Sequence, residues 1–221
     1  MDVYLEVGSK RTFAGAVEWA GWCRSGRDEA AALQALLGSG VRYQGVLQAV
    51  GLVFAAPADV ESLTIVERLI GNSTTDFGAP GVAPAGDAAP MDEAELGKAQ
   101  TMLEACWRAF DSAVELARDR ELRKGPRGGG RELEGIVRHV LGGDAGYLAG
   151  LGWKFKEAAG ETLDRELQRT RQAIRQGLVA AVRGELAERG PRGGVRWPAR
   201  YYVRRAAWHV LDHAWEIEDR L

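Results

Sequence analysis

Four long segments with helical apolar spacing fill the second half of the chain, and they constrain its fold more than any other feature. MDEAELGKAQTMLEACWRAFDSAVELARDREL (91–122) repeats Leu96, Leu103, Trp107, Phe110, Val114 and Ala117 at the period of an amphipathic helix, with Asp92 placed as an N-cap. RELEGIVRHVLGGDAGYLAGL (131–151), GETLDRELQRTRQAIRQGLVAAVRGELAER (160–189) and PARYYVRRAAWHVLDHAWEIEDRL (198–221) follow it. Four helices of this length with loops of moderate size predict a four-helix bundle.

The chain has a different character before residue 75. VYLEV (3–7), TFAGAV (12–17), GWCRSG (21–26) and LTIVERLIG (63–71) have the length and the β-branched, aromatic content of strands. Asp28 is placed to cap a helix over EAAALQALL, and QGVLQAVG extends the helical pattern. NSTTDFGAPGVAPAGDAAP (72–90) is rich in Gly, Pro and Ala without an apolar period, and reads as a linker or a long ordered loop. The expected fold class is α+β: a small mixed α/β module over 1–71, a connection over 72–90 and a helical bundle over 91–221.

Charge and composition exclude several classes. The net charge of −2 favours neither nucleic acid nor a membrane surface, although RDRELRKGPRGGGR (118–131) and RGPRGGVRWPARYYVRR (189–205) are locally basic. The start, MDVYLEVGSKR, lacks the basic and apolar segments of a signal peptide, and no apolar run reaches the roughly 20 residues of a spanning helix. A soluble, cytoplasmic protein is expected. Cys23 and Cys106 lie far apart in segments of different kinds, which speaks against a disulfide framework. Cys106 reads as a core residue. Cys23 has Arg24 beside it but no base nearby.

Histidine is scarce, yet two of the three, His209 and His213, stand four apart in AWHVLDHAWEIED. On a helix that spacing puts both imidazoles on one face, where they can meet one metal ion. His139 in GIVRHVLGGDAGYL lies on another predicted helix and can complete a three-nitrogen set with positions left open. Imidazole donors favour Zn, Ni, Fe or Co over Mg or Ca. Glu216, three residues beyond His213, shares that face and either orients a ligand, accepts a proton as a catalytic base, or belongs only to the solvated acidic side of the helix. Asp212 and Glu218 read as the solvated side of the helix. Gly142, Gly143 and Gly146 either leave space beside a metal or mark close helix packing. Trp197, Tyr201, Tyr202, Trp208 and Trp215 read as bundle core.

GPRGGGR (125–131) and GPRGGVR (190–196) echo one another, each between a long helix and a histidine-bearing one. Their glycine N–H groups and arginines can hold an anion. The plainer reading, and the preferred one, is that Pro and Gly end a helix while arginines cover its C-terminal end.

Residues 91–221 resemble the DinB-like metal-binding four-helix-bundle superfamily, which includes thiol S-transferases and a mycothiol-dependent isomerase. IVRHVLGGDAGYL matches the family's single histidine on the second helix through His139, and WHVLDHAWEIED matches its HxxxH pair through His209 and His213. The resemblance implies a divalent transition metal on these residues and a low-molecular-weight thiol, bound as thiolate, that attacks an electrophile or assists an isomerisation. It also implies helices running up, down, down, up, with a crossover through AGLGWKFKEAAG (149–160) and the two Gly/Arg loops at opposite ends. The Ala, Gly and Arg content points to a GC-rich bacterial genome, where mycothiol is the thiol expected of an actinobacterium.

The N-terminal TFAGAVEWAGWCRSGRDEAAALQALL resembles the HicB-type antitoxin fold over about the first 50 residues, with Trp22 interposed in the family's Gly-Cys step. No DNA-binding domain follows it, so the module is expected to serve protein interaction, homodimerisation or lid formation. Two functions follow. One is a metal-dependent enzyme acting on a small-molecule substrate. The other is a non-catalytic protein that regulates a toxin or nucleic acid through the HicB-like module and the basic segments, with a degenerate bundle whose histidines serve only packing; retention of all three histidines favours the first.

Overall fold

A computed structural model describes residues 1–124, 130–156, 160–190 and 193–221. The chain forms two compact units, Met1–Ala88 and Ala89–Leu221.

The first unit is built on four strands: β1 (Asp2–Val7), β2 (Thr12–Ala16), β3 (Cys23–Gly26) and β4 (Thr64–Ile70). Their order is β3-β2-β1-β4; β2 runs antiparallel to β1 and β3, and β4 runs parallel to β1. The parallel pair needs a long return, which α1 (Glu29–Gly38) and α2 (Gly40–Gln48) supply. Asp28 caps α1 by accepting from the Ala31 amide at 2.8 Å. Consecutive residues Val3, Tyr4, Leu5 and Glu6 are all buried, so β1 is covered on both faces. Trp22 is fully buried, stacks on Tyr43 at 5.9 Å and donates its indole N–H to the Leu36 carbonyl at 3.1 Å. It thereby ties the β2–β3 turn to the end of α1.

The segment from 72 is ordered through a buried carboxylate. Asn72 begins α3 (Ser73–Phe77) with a capping box formed with Thr75. Glu6, with no exposure, accepts from the Thr75 hydroxyl, from the Gly81 amide at 2.8 Å and from the Val82 amide at 3.2 Å. Composition alone hides this, because the anchor lies some 70 residues away on β1.

The second unit contains α4 (Glu93–Ala117), α5 (Leu133–Leu151), α6 (Leu163–Val182) and α7 (Ala199–Asp219). Asp92 and Glu95 form a capping box at the start of α4. Leu96, Leu103, Cys106, Phe110, Ala113 and Ala117 are buried along one face of α4, each large apolar side chain contributing about 1.5–3 kcal/mol. The third helix stops at Val182 instead of continuing to 189. Gly184 adopts φ +71°, and the Glu185 amide returns to the Ala180 carbonyl at 2.8 Å, a left-handed stop that glycine supplies.

Contacts at the helix ends fix the directions. Arg200 pairs with Glu95 at 2.6 Å at one end of α7, and the Arg123 amide donates to the Arg220 carbonyl at 2.8 Å at the other, so α4 and α7 are parallel. Arg171 with Asp111 and Arg183 with Glu93 make α6 antiparallel to α4. Gly143 faces His209, and the Trp197 amide donates to the Gly150 carbonyl, so α5 is antiparallel to α7. The order is therefore up, down, down, up. Moving from α5 to a parallel α6 requires spanning the 20-residue α6, about 30 Å. The connection over 152–162, about 36 Å when extended, is long enough; its residues 157–159 lie outside the described ones.

α7 is the central element. Every residue from Tyr201 to Leu211 is buried, as is Trp215, so the aromatic residues of this helix are core. Trp197, ahead of the helix, remains half-buried against Tyr147 and Tyr201. No helix among the described residues is long and apolar enough to cross a membrane.

Candidate metal centre

His139 of α5 and His209 and His213 of α7 converge on one point. One ring nitrogen from each lies within 4.8 Å of the others, and the ring centroids are 4.8–5.0 Å apart. Nε2 of His139 and Nε2 of His209 are 3.2 Å apart. Two imidazole nitrogens bound about 2.0–2.1 Å from a tetrahedral ion stand about 3.3 Å from each other, so this pair already has a ligating separation.

Backbone and sequence make that approach possible. The four-residue step stacks His209 and His213 on the α7 face turned toward α5. Gly143, one turn beyond His139, lets the His209 ring come close; a Cβ there would stand 2.4 Å from its Cε1. Of the three glycines, Gly143 thus marks close helix packing. Gly142 and Gly146 have no neighbour within 4 Å of a Cβ and lie toward solvent.

His213 is oriented by Glu216, whose Oε2 lies 2.7 Å from its Nδ1. With Nδ1 committed to the carboxylate, Nε2 is the nitrogen left for a ligand. Glu216 also accepts from Arg220 at 3.0 Å, and Arg220 donates to the carbonyls of Arg123 at 2.7 Å and Arg131 at 2.9 Å. The hydrogen bond from His213, aided by Arg220, holds the Glu216 carboxyl below its ordinary range. Asp212 and Glu218 are half-buried.

Burial, followed by the neighbouring His213 and His139, pushes His209 down to about 2. Burial and then His213 lower His139 as well. A metal ligand must offer a lone pair, so these two imidazoles are already in the binding form near neutral pH. Three imidazoles whose nitrogens lie within 4.8 Å of one another, one held by a carboxylate, fit a divalent transition ion.

Cys106 is absent from the cluster. Cys106 is fully buried in α4, where burial pushes its thiol up to about 12, and Cys23 lies buried in β3. The proposed anion loops are seen only in part: residues 125–129 and 191–192 lie outside the described ones. Their flanks, Arg131 beside Arg220 and Trp197 beside Gly150, are at opposite ends of the helices.

Three site neighbours were not singled out from sequence: Tyr147, Arg205 and Arg220. The signal was present in the α7 stripe Arg205, His209, His213, Glu216, Arg220, which steps by four, four, three and four. Grouping Arg205 with the basic segment before it concealed that register.

The chain matches no protein-family model, no curated protein and no solved structure.

Proposed function

We propose that residues 89–221 form a metal-dependent enzyme of the DinB-like kind, with His139, His209 and His213 holding a divalent transition ion such as Zn, Ni, Fe or Co. The observation that carries this reading is the convergence of all three histidines of the chain from two helices, with the His139 and His209 nitrogens 3.2 Å apart. The up, down, down, up order of the helices supports it. A divalent ion on three neutral ligands keeps its full charge and lowers the pKa of a thiol or water that reaches it.

The residues of the chain then divide the work. His139, His209 and His213 would hold the ion through one ring nitrogen each. Glu216 fixes the His213 tautomer and ring, and Arg220 fixes Glu216. His139, Gly143 and Tyr147, one turn apart on α5, are half-buried and form the edge through which a small molecule reaches the cluster. The reaction class is transfer of a small thiol to an electrophile, or an isomerisation assisted by such a thiol.

The test is elemental analysis of untagged full-length protein, purified without chelator, beside the His209→Ala variant. About one transition metal per chain in the parent and little in the variant is expected. No metal in either, even after incubation with Zn and Ni, overturns the reading.

A further inference from the structure

Arg205 stands one turn before His209 on α7 and is only 8% exposed. Its guanidinium lies over the Tyr147 ring at 5.1 Å and over the Trp208 ring at 5.0 Å. Tyr147 in turn meets the His209 imidazole edge-on at 5.4 Å. The cation is therefore held beside the three histidines, on the side of the half-buried Tyr147.

Its hydrogen bonding is incomplete. The Tyr147 hydroxyl engages the guanidinium through a side-chain hydrogen bond, but Nη1 of Arg205 is buried and has no hydrogen-bond partner. Other arginines of the helix differ: Arg220 is met by two carbonyls and Glu216, and Arg200 by two carbonyls and Glu95. Asp144 is the buried carboxyl nearest in sequence to Tyr147, but the cation acting on it is Arg171 of α6. A buried guanidinium N–H without an acceptor is costly, and apolar residues of similar size would fill the position without that cost. Flanking aromatic rings exclude water and strengthen the attraction for an anion that enters.

We propose that Arg205 is a substrate-binding residue, and that the electrophile or thiol handled at the three-histidine site carries a carboxylate that accepts from Nη1. This rests on the functional reading above and narrows it to a substrate class. A carboxylate suits one spare buried donor between two rings; a dehydrated phosphate dianion needs several donors.

The test is calorimetric titration of the full-length protein, metal-free and zinc-loaded, with benzoate, with neutral benzyl alcohol and with phenyl phosphate. Benzoate is expected to bind the parent at least tenfold more tightly than benzyl alcohol, and Arg205→Met to erase that preference while zinc stoichiometry stays at the parental value. Arg205→Lys, which keeps the charge, retains part of the preference and serves if the Met variant does not fold. Equal affinity for benzoate and benzyl alcohol in the parent, or a preference that survives Arg205→Met, overturns the proposal. Phenyl phosphate binding as tightly as benzoate overturns the carboxylate assignment. Loss of zinc binding with the benzoate preference intact would sink the metal reading and leave Arg205 as a carboxylate site.

Discussion

Gly143 of α5 lies against the His209 ring of α7 so closely that a Cβ would come within 2.4 Å of Cε1 and 2.8 Å of Nδ1. Both are parts of an imidazole fixed in a buried position, so neither can yield cheaply. Gly143→Ala is expected to cost about 1–3 kcal/mol and to displace His209 from the cluster. Gly142, its neighbour, has no atom within 4 Å of a Cβ. Gly142→Ala is thus expected to be neutral or to stabilise by up to about 1 kcal/mol through helix propensity. Thermal unfolding with zinc stoichiometry on both variants checks the contrast; full zinc binding by the Gly143 variant would refute the packing argument.

Glu216 and His213 form the second relationship that can be tested. Glu216→Gln keeps an acceptor of the same shape but removes the charge that steadies the imidazole. Losing such an outer partner lowers metal affinity about 10–100-fold. A competition titration against a zinc chelator measures this directly. Unchanged zinc affinity together with lost turnover would assign Glu216 to proton transfer instead.

Much of this site was legible because helices impose a fixed period. The four-residue step from His209 to His213, and Glu216 three further on, needs only a helix to bring the groups onto one face. Asp28 and Asp92 as caps, and Trp208 and Trp215 as core, follow from equally local rules. What could not be read depends on contacts distant in sequence. The anchoring of 72–88 by Glu6 is invisible to composition, and the end of α6 at Val182 turns on one glycine inside an otherwise helical run. Arg205 was obscured for a different reason: a basic segment suggests solvent, whereas packing against Tyr147 and Trp208 buries this member of it.

Asp144 gives the bundle a pH-dependent stability. Its carboxyl is buried in α5, Oδ1 has no hydrogen-bond partner, and burial, opposed by Arg171, raises it to about 7. The folded state therefore holds a proton that the unfolded state releases near 3.8, the ordinary value of an aspartate, so stability falls as pH rises between these values and levels off above them. The slope from this group is at most about 1.4 kcal/mol per pH unit. Asp144→Asn removes it. The variant is expected to match the parent near pH 4 and exceed it at pH 8 in urea denaturation; a stability difference independent of pH would show that Asp144 does not hold the proton.

Glu6 settles whether residues 72–88 belong to the first unit or merely trail from it. One carboxylate there receives the Thr75 hydroxyl and the Gly81 and Val82 amides, and all of these donors would be left without their partner if it were removed. Glu6→Gln retains a single acceptor oxygen and turns an NH2 group toward an N–H donor, so a loss of about 1–3 kcal/mol is expected. Amide exchange across 72–88 should rise in step with that loss, because the segment has little apolar surface of its own to hold it down. A linker independent of β1 would exchange equally fast in the parent and the variant, and that outcome would remove Glu6 from the account of the fold.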